Sequence, residues 1–185
     1  EVSGLVADVT DGIAKHLGNI GIIYADLGDY TKAFDYYFKY LKIAEEIGNK
    51  NYEAIALTNI GSAYGDLGDY QKTIEYYSKA LKITEELGDK NKISGLFGNI
   101  GLLYTEQKKY QKAFDCIYRA IAIADSVQAM NIFKDQYEAL SALYEKSNIP
   151  LLDTVGGRLL NMEQMRLRSK YYFIRYISVR DTLFS

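Results

Sequence analysis

Apolar and polar positions follow a helical period through the first part of the chain, and the whole pattern returns forty residues later. Between about Gly12 and Leu27, the residues Leu17, Ile20, Tyr24 and Leu27 fall at i, i+3, i+7 and i+10, which is one stripe of an α-helix. Gly21 shares that stripe, and a residue without a Cβ lets a neighbouring helix come close. Gly28 reads as a C-terminal stop and Asp29 as the cap of the next helix. The second helix is expected from about Thr31 to Ile47, with a stop at Gly48. The next copy has the same plan: helix to Leu67, stop at Gly68, cap at Asp69, helix to Leu87, stop at Gly88.

The period is strict, since Tyr24, Tyr64, Tyr104 and Tyr144 are each forty apart. A fixed period of this size marks stacked supersecondary units. The third copy departs in its turn, where Gln107-Lys108-Lys109 replaces Leu-Gly-Asp and removes both the glycine stop and the aspartate cap. The same hairpin with a less well-specified turn is expected there, and a second helix ending near Val127. A fourth first helix places Tyr137, Leu140, Ser141 and Tyr144 in the slots of Leu17, Ile20, Gly21 and Tyr24. Then the period breaks, because the counterparts of Tyr37 and Tyr40 are Phe173 and Tyr176, sixteen residues late. The extra stretch holds Pro150 and Gly156-Gly157, and helical spacing runs from Leu159 to Leu183. One reading is a longer connection, 148–157, feeding one long helix from about Arg158 to Leu183. The other is a sixteen-residue flap followed by an ordinary helix. At the other end, residues 1–10 align with Leu41–Lys50 and read as the end of an earlier second helix, or as a frayed terminus.

These residues resemble a known family. Asn-Ile-Gly-x-x-Tyr, Gly-Asp-Tyr, then a small residue and a bulky one (Ala33 and Tyr37, Thr73 and Tyr77, Ala113 and Ile117) look like the tetratricopeptide repeat. The forty-residue spacing and the Asn before each Ile-Gly resemble the subtype of kinesin light chains and bacterial peptide-sensing regulators. The resemblance is close over residues 14–148. It implies an all-α, right-handed superhelix of antiparallel helix pairs in a single domain. Repeat 1 would span 14–48, repeat 2 49–88, repeat 3 89–128, and an atypical fourth repeat 131–184. The long final helix would cap the stack, or alternatively dock a partner or form a homodimer.

The resemblance also implies that the face of each first helix opposite the core stripe lines a concave groove. Taking ~100° per residue, that face carries Lys15, Gly18, Asn19, Ile22, Ala25 and Asp26. Followed through the copies, it gives columns. One reads Asn19, Asn59, Asn99, then Ala139; another reads Asp26, Asp66, Glu106, then Lys146. A third is Gly18, Thr58, Gly98, then Glu138, and a fourth Ile22, Ser62, Leu102, then Ala142. Asn side chains offer paired donors and acceptors, which suits the backbone of an extended peptide. Small neighbours would leave the peptide room, and Ile22, Ile55 and Leu102 would form side-chain pockets. The competing reading is that the Asn amides bond to adjacent helices and hold the stack together. The acidic column favours neutral or basic ligands, or is a solvated face. This face is neutral to acidic, with Lys15 the main exception, which argues against a receptor for Hsp70 or Hsp90 tails.

Composition narrows the chemistry. With 185 residues, 48% hydrophobic and 14% aromatic, the chain can supply a core for one domain. Its net charge of −2 gives no basic footprint for nucleic acid or an anionic membrane surface. No apolar run approaches the roughly 20 residues that span a bilayer. Cys116 is the sole cysteine and His16 the sole histidine, so neither an intrachain disulfide nor a Cys/His metal site has its ligands. A reducing compartment is compatible with this and not required by it. No nucleophile–base pair or glycine-rich phosphate loop is visible, and no cofactor is expected. The leading expectation is a non-catalytic protein- or peptide-binding module. A sensory or regulatory domain of a larger bacterial signalling protein, with a kinase or transcriptional output, is the alternative. A phosphatase of the peptide-sensing type has least support.

Overall fold

The computed structural model describes residues 2–127 together with 136, 139, 140, 143, 146, 151–153, 158–160, 164 and 167. Six helices are described over their full length, in chain order: α1 Val2–Asp26, α2 Tyr30–Glu46, α3 Lys50–Asp66, α4 Tyr70–Glu86, α5 Lys90–Glu106 and α6 Tyr110–Ser126. Consecutive helices pack as pairs, α1 with α2, α3 with α4 and α5 with α6. The three-residue connection within each pair makes its members antiparallel. The chain is an all-α repeat protein, and it divides into two compact units, Glu1–Gly88 and Asp89–Ser185.

In the first unit the turn chemistry explains the helix ends. Gly28, Gly48 and Gly68 sit at φ +76°, +67° and +75°, a left-handed conformation that costs glycine nothing. Asp29 and Asp69 then accept hydrogen bonds from the backbone N–H of Lys32 and Lys72, each at 3.2 Å. Asn49 caps α3 in the same way, accepting from Tyr52 N–H at 3.1 Å. Helix α1 differs from expectation. It is one continuous helix from Val2, so residues 2–10 are neither the end of a separate helix nor a frayed segment.

Close packing follows the Ile-Gly pair. A Cβ on Gly21 would lie 2.5 Å from the Tyr37 ring, and one on Gly61 would lie 2.7 Å from the Tyr77 ring. Ala33 and Tyr37 of α2 pack with Ile60 and Ala63 of α3 in one buried cluster. Tyr40 packs with Ala14 and Ala56 in another. Leu27, expected on the core stripe, is 74% exposed, and its counterpart Leu67 is largely exposed too. Both occupy the last position before the glycine stop, where the chain has already turned away from the stripe.

The second unit keeps the plan with different residues. Phe114, Ile117, Ile121 and Ala124 of α6 pack with Ala139, Leu140 and Leu143. Buried Ser94 donates to the Ala120 carbonyl at 2.8 Å, joining α5 to α6. In the third turn Lys108 takes φ 57°, the glycine conformation, and Lys109 provides no side-chain cap. The turn nevertheless has the hydrogen bonds of the first: Lys108 N–H to Thr105 and Lys109 N–H to Tyr104, at 3.0 and 2.9 Å.

The break in period contains strand structure. Leu151–Asp153 (β1) pairs antiparallel with Arg158–Leu160 (β2), with Leu151 opposite Leu160 and Asp153 opposite Arg158, and β1 packs on α6. The helix expected to begin at Arg158 therefore does not begin there, and Gln164 and Leu167 are the described helical positions beyond it. Two short apolar pairs on either side of Gly156-Gly157 suit a hairpin, which helical spacing alone does not exclude. The counterparts Phe173 and Tyr176, and the dimerising role considered for the final helix, lie outside the described residues.

Candidate functional site

Helices α1 and α3 bring the first-unit candidates onto corresponding faces. Asn19, Ile22 and Asp26 are exposed on α1, and Asp66 is exposed on α3. Ile55, Asn59 and Ser62 of α3 are half-buried. The neighbouring small column does not leave open space. Gly18 is buried, its missing Cβ filled by the Tyr40 ring at 3.1 Å, and Thr58 turns its hydroxyl onto the Ala54 carbonyl at 2.8 Å. Ile55 packs against the cluster of Ala14, Tyr40 and Ala56, so it is part wall and part surface. Ser62 shares a 2.9 Å hydrogen bond with the Tyr77 hydroxyl, tying α3 to α4 beneath this face.

The Asn amides make no hydrogen bond within the set of described residues. Asn59 is the informative one, because its Nδ2 is fully enclosed and has no partner. A buried donor left unpaired costs roughly 1–3 kcal/mol, so such groups are uncommon and call for a reason.

The acidic positions differ between the units. In the first, Tyr30 stands between Asp26 and Asp66. Burial raises its phenol pKa, and hydrogen bonding to Asp66 and the charges of both carboxylates raise it further. Tyr37 is pushed up to about 12, first by burial and then by the same two carboxylates. Neither aspartate forms an ion pair with a described residue. At the edge of this face Lys15 pairs with Asp11 at 2.8 Å and lies over the Tyr52 ring at 5.8 Å. In the second unit Asn99 and Leu102 are exposed, but Glu106 is held by Lys146 at 2.6 Å. The position that continues the acidic column with a lysine thus neutralises its predecessor.

Sequence reasoning misses an aromatic array beside these faces. Tyr24 stacks on Tyr36 at 5.5 Å with Lys32 and Lys39 over the two rings. Tyr64 and Tyr76 repeat this at 5.5 Å with Lys72 and Lys79. In the third repeat Cys116 stands in place of the second tyrosine, and burial pushes its thiol up to about 11. The signal is present in the sequence, since these pairs recur at twelve residues in both copies. Among the described residues no three His, Cys, Asp or Glu side chains cluster as metal ligands, and no helix is long and apolar enough to cross a membrane.

Comparison with known proteins matches this architecture. The family model described as "Tetratricopeptide repeat" fits residues 12–86 and 52–126. No curated protein matches the chain by sequence. Among solved structures, BtubC (BKLC) from P. vanneervenii superposes with a TM-score of 0.64 at 18% identity, covering 94% of this chain and 65% of its own. Aspartyl phosphate phosphatase F from Bacillus subtilis gives 0.72 at 17% identity, with 89% and 42% covered. The chain therefore spans less than two thirds of either structure. At such identities the likeness is one of fold, while the matched repeats cover well over half the chain: it belongs to the tetratricopeptide repeat family.

Proposed function

We propose that the chain is a non-catalytic binding module that holds an extended peptide segment of a partner protein. Asn19, Ile22, Asp26, Ile55, Asn59, Ser62 and Asp66 would supply the face in the first unit, and Asn99, Leu102 and Glu106 the face in the second. The carrying observation is the unpaired, enclosed Nδ2 of Asn59, one period on from exposed Asn19. Scaffolding amides would be bonded to adjacent helices, and among the described residues no such bond is made by Asn19, Asn59 or Asn99, which supports this reading. A modest turn about the terminal side-chain torsion, which is soft, brings the amide to a peptide backbone. Exposed Ile22 and Leu102 would take apolar side chains of the ligand, and Asp26 and Asp66 would favour neutral or basic ones.

The test begins with peptides selected from a random display library on the purified chain. Replacing Asn19, Asn59 and Asn99 together by Ala should weaken their binding by about 2–4 kcal/mol, roughly 30- to 1000-fold, at about 0.5–1.5 kcal/mol each. Melting temperature is measured on the same protein. Unchanged affinity with a large fall in melting temperature would make the column scaffolding. Lys146→Ala, which frees Glu106, should tighten basic peptides while leaving stability within about 0.5 kcal/mol, since the pair is exposed.

A second reading, the sensory or regulatory part of a larger bacterial signalling protein, is suggested by the likeness to a phosphatase of which the chain spans 42%. Dephosphorylation of a phosphorylated response regulator by the isolated chain would overturn the non-catalytic assignment.

A further inference from the structure

The third repeat lacks a ring that the first two have, and it also lacks the matching counter-charges. In repeats one and two a lysine, two stacked tyrosines and a second lysine form one pile: Lys32, Tyr24, Tyr36 and Lys39, then Lys72, Tyr64, Tyr76 and Lys79. In the third, Tyr104 keeps the place of the first ring, while Cys116 takes the place of the second and has no ring to stack. Both residues are half-buried, so the vacated place reaches the surface, and no described ring stacks on Tyr104. Arg119, the counterpart of Lys39 and Lys79, lies over Phe97 at 4.3 Å and does not close the gap. Lys32 and Lys72 pair with Asp29 and Asp69, and Lys79 pairs with Glu75. In the third repeat Lys109 replaces that aspartate. Lys109 and Lys112 both lie over Tyr104, at 6.0 and 5.7 Å, and neither they nor Arg119 pair with a described carboxylate. Cys116 is governed by burial first and then by the opposed charges of Asp115 and Arg119, and Asp115 accepts from Gln111 at 3.0 Å. The filled repeats show where the polar end of a ring points. Asp29 and Asp69 hold Lys32 and Lys72 above the ordinary lysine range, and the phenols of both stacked tyrosines add to this. The phenol end of the second ring is thus within reach of this lysine, whose counterpart is Lys112.

We propose that this slot between α5 and α6 binds a small aromatic anion, a benzene ring carrying a phosphate or carboxylate at the end that faces Lys112. The ring stacks on Tyr104 as Tyr36 and Tyr76 stack on Tyr24 and Tyr64, an arrangement that aromatic pairs favour. Lys109, Lys112 and Arg119 answer its charge. A neutral ring would leave these cations without a counter-charge, and a bare anion would leave the ring face of Tyr104 uncovered. Cys116 forms the floor. Burial pushes its thiol up to about 11, so it stays protonated and adds no competing negative charge. The site is separate from the proposed peptide face, because Tyr104 lies roughly 140–160° around α5 from Asn99, Leu102 and Glu106 at ~100° per residue.

The experiment titrates phenyl phosphate into the isotope-labelled, full 185-residue chain and follows backbone amide NMR shifts, with phenol and inorganic phosphate as the two half-ligands. Phenyl phosphate should bind saturably with a Kd of about 1 mM or below, and each half-ligand at least about tenfold more weakly. Two variants locate the site without threatening the fold. Cys116→Tyr refills the slot with the residue of repeats one and two, and should abolish binding. Lys109→Asp gives Lys112 the carboxylate partner that Lys32 and Lys72 have. It should weaken phenyl phosphate at least about tenfold and leave phenol unchanged. Melting temperature is measured on both. Cys116 is the sole cysteine, so its alkylation by N-ethylmaleimide gives an independent readout, which saturating phenyl phosphate should slow at least about fivefold. Should Cys116→Tyr fail to fold, Lys109→Asp and the protection of the thiol decide. Three outcomes overturn the proposal. One is no saturable binding up to about 10 mM, beyond the weak end of specific affinity. Another is phenyl phosphate binding that folded Cys116→Tyr leaves intact, or that leaves the thiol unprotected. The third is inorganic phosphate binding as tightly as phenyl phosphate, which would reduce the slot to a cluster of cations.

Discussion

The third turn should be repairable, and by a calculable amount. Lys108 holds φ 57°, where a side chain crowds the backbone at a cost of roughly 1–2 kcal/mol, although the backbone hydrogen bonds match those of the glycine turns. Lys108→Gly relieves this, and the greater freedom of glycine in the unfolded chain takes some of it back, leaving about 1 kcal/mol. Lys109→Asp restores a cap worth typically ~1 kcal/mol. Its partner is in place, since Lys112 occupies the position from which Lys32 and Lys72 donate to Asp29 and Asp69. The ring of Tyr104 keeps Lys112 over it at 5.7 Å when Lys109 is lost. The double variant should gain about 2 kcal/mol, or roughly 4–8 °C in melting temperature at about 2–4 °C per kcal/mol for a chain of this size. Thermal dichroism at 222 nm reads it, with a urea midpoint as a second measure. Lys108→Ala is the decisive control, because it removes the charge and keeps the Cβ. It should gain little. The share of the gain that comes from Lys109→Asp should also vanish in acid. The precedent is Asp29, whose carboxyl Lys32 holds below its ordinary range, through its side chain first and its backbone N–H second. A depressed carboxylate stabilises above its unfolded pKa, and that stability is lost as pH falls through the folded value. Equal effects of Lys108→Gly and Lys108→Ala would refute the argument from backbone conformation.

Two further expectations follow from packing and burial. Gly61→Ala forces a methyl to 2.7 Å from the Tyr77 ring and should cost about 1–3 kcal/mol, whereas Gly95→Ala meets nothing within 4 Å and should gain about 0.5–1 kcal/mol in the same urea titration. Alkali should unfold the chain. Tyr37 and Tyr40 are each pushed up to about 12, chiefly by burial, and Cys116 to about 11 for the same reason. Raised acids hold protons that the unfolded chain releases, so stability is complete below the unfolded values and falls as pH rises from about 9 towards 12. A flat stability profile across that range would contradict the burial of these groups.

The parts of the fold legible in the sequence are those with local causes. Gly28, Gly48, Gly68 and Gly88 stop helices because only glycine takes a left-handed backbone freely, and all four have positive φ. Asp29 and Asp69 cap because a carboxylate meets unpaired N–H groups at a helix start. Asn49 caps α3 by the same chemistry, and its place directly after Gly48 is an equally local signal. What depends on distant partners is not legible in this way. Leu27 fits the stripe by angle but lies beyond the point where the chain turns. Gly18 and Gly98 read as room for a ligand, yet a tyrosine ring and the Gln136 amide fill the space. The β-hairpin shares its leucines with a helical pattern, and strand pairing is decided across the connection, which no single stretch reveals.

The departures of the third repeat have a common direction. Where the first unit offers Asp26 and Asp66 without cationic partners among the described residues, the second closes Glu106 with Lys146. Where each repeat of the first unit stacks a pair of tyrosines, the second unit substitutes Cys116, and Arg119 lies over Phe97 at 4.3 Å instead. Where Gly18 admits a tyrosine ring, Gly98 admits an amide whose Oε1 has no partner. Each change lowers the net negative charge or the aromatic surface offered by the second unit. Ion pairs at exposed positions add little to stability, so the Lys146–Glu106 bridge is better explained by the charge it removes than by the structure it holds. On the proposed reading, then, selectivity for basic side chains resides in the first unit. The second would grip by Asn99 and the apolar side chain of Leu102, with the charge of Glu106 offset by Lys146. Added salt should therefore weaken contacts at Asp26 and Asp66 and leave those at Asn99 and Leu102 nearly untouched, a difference that a salt series on single substitutions in each unit would expose.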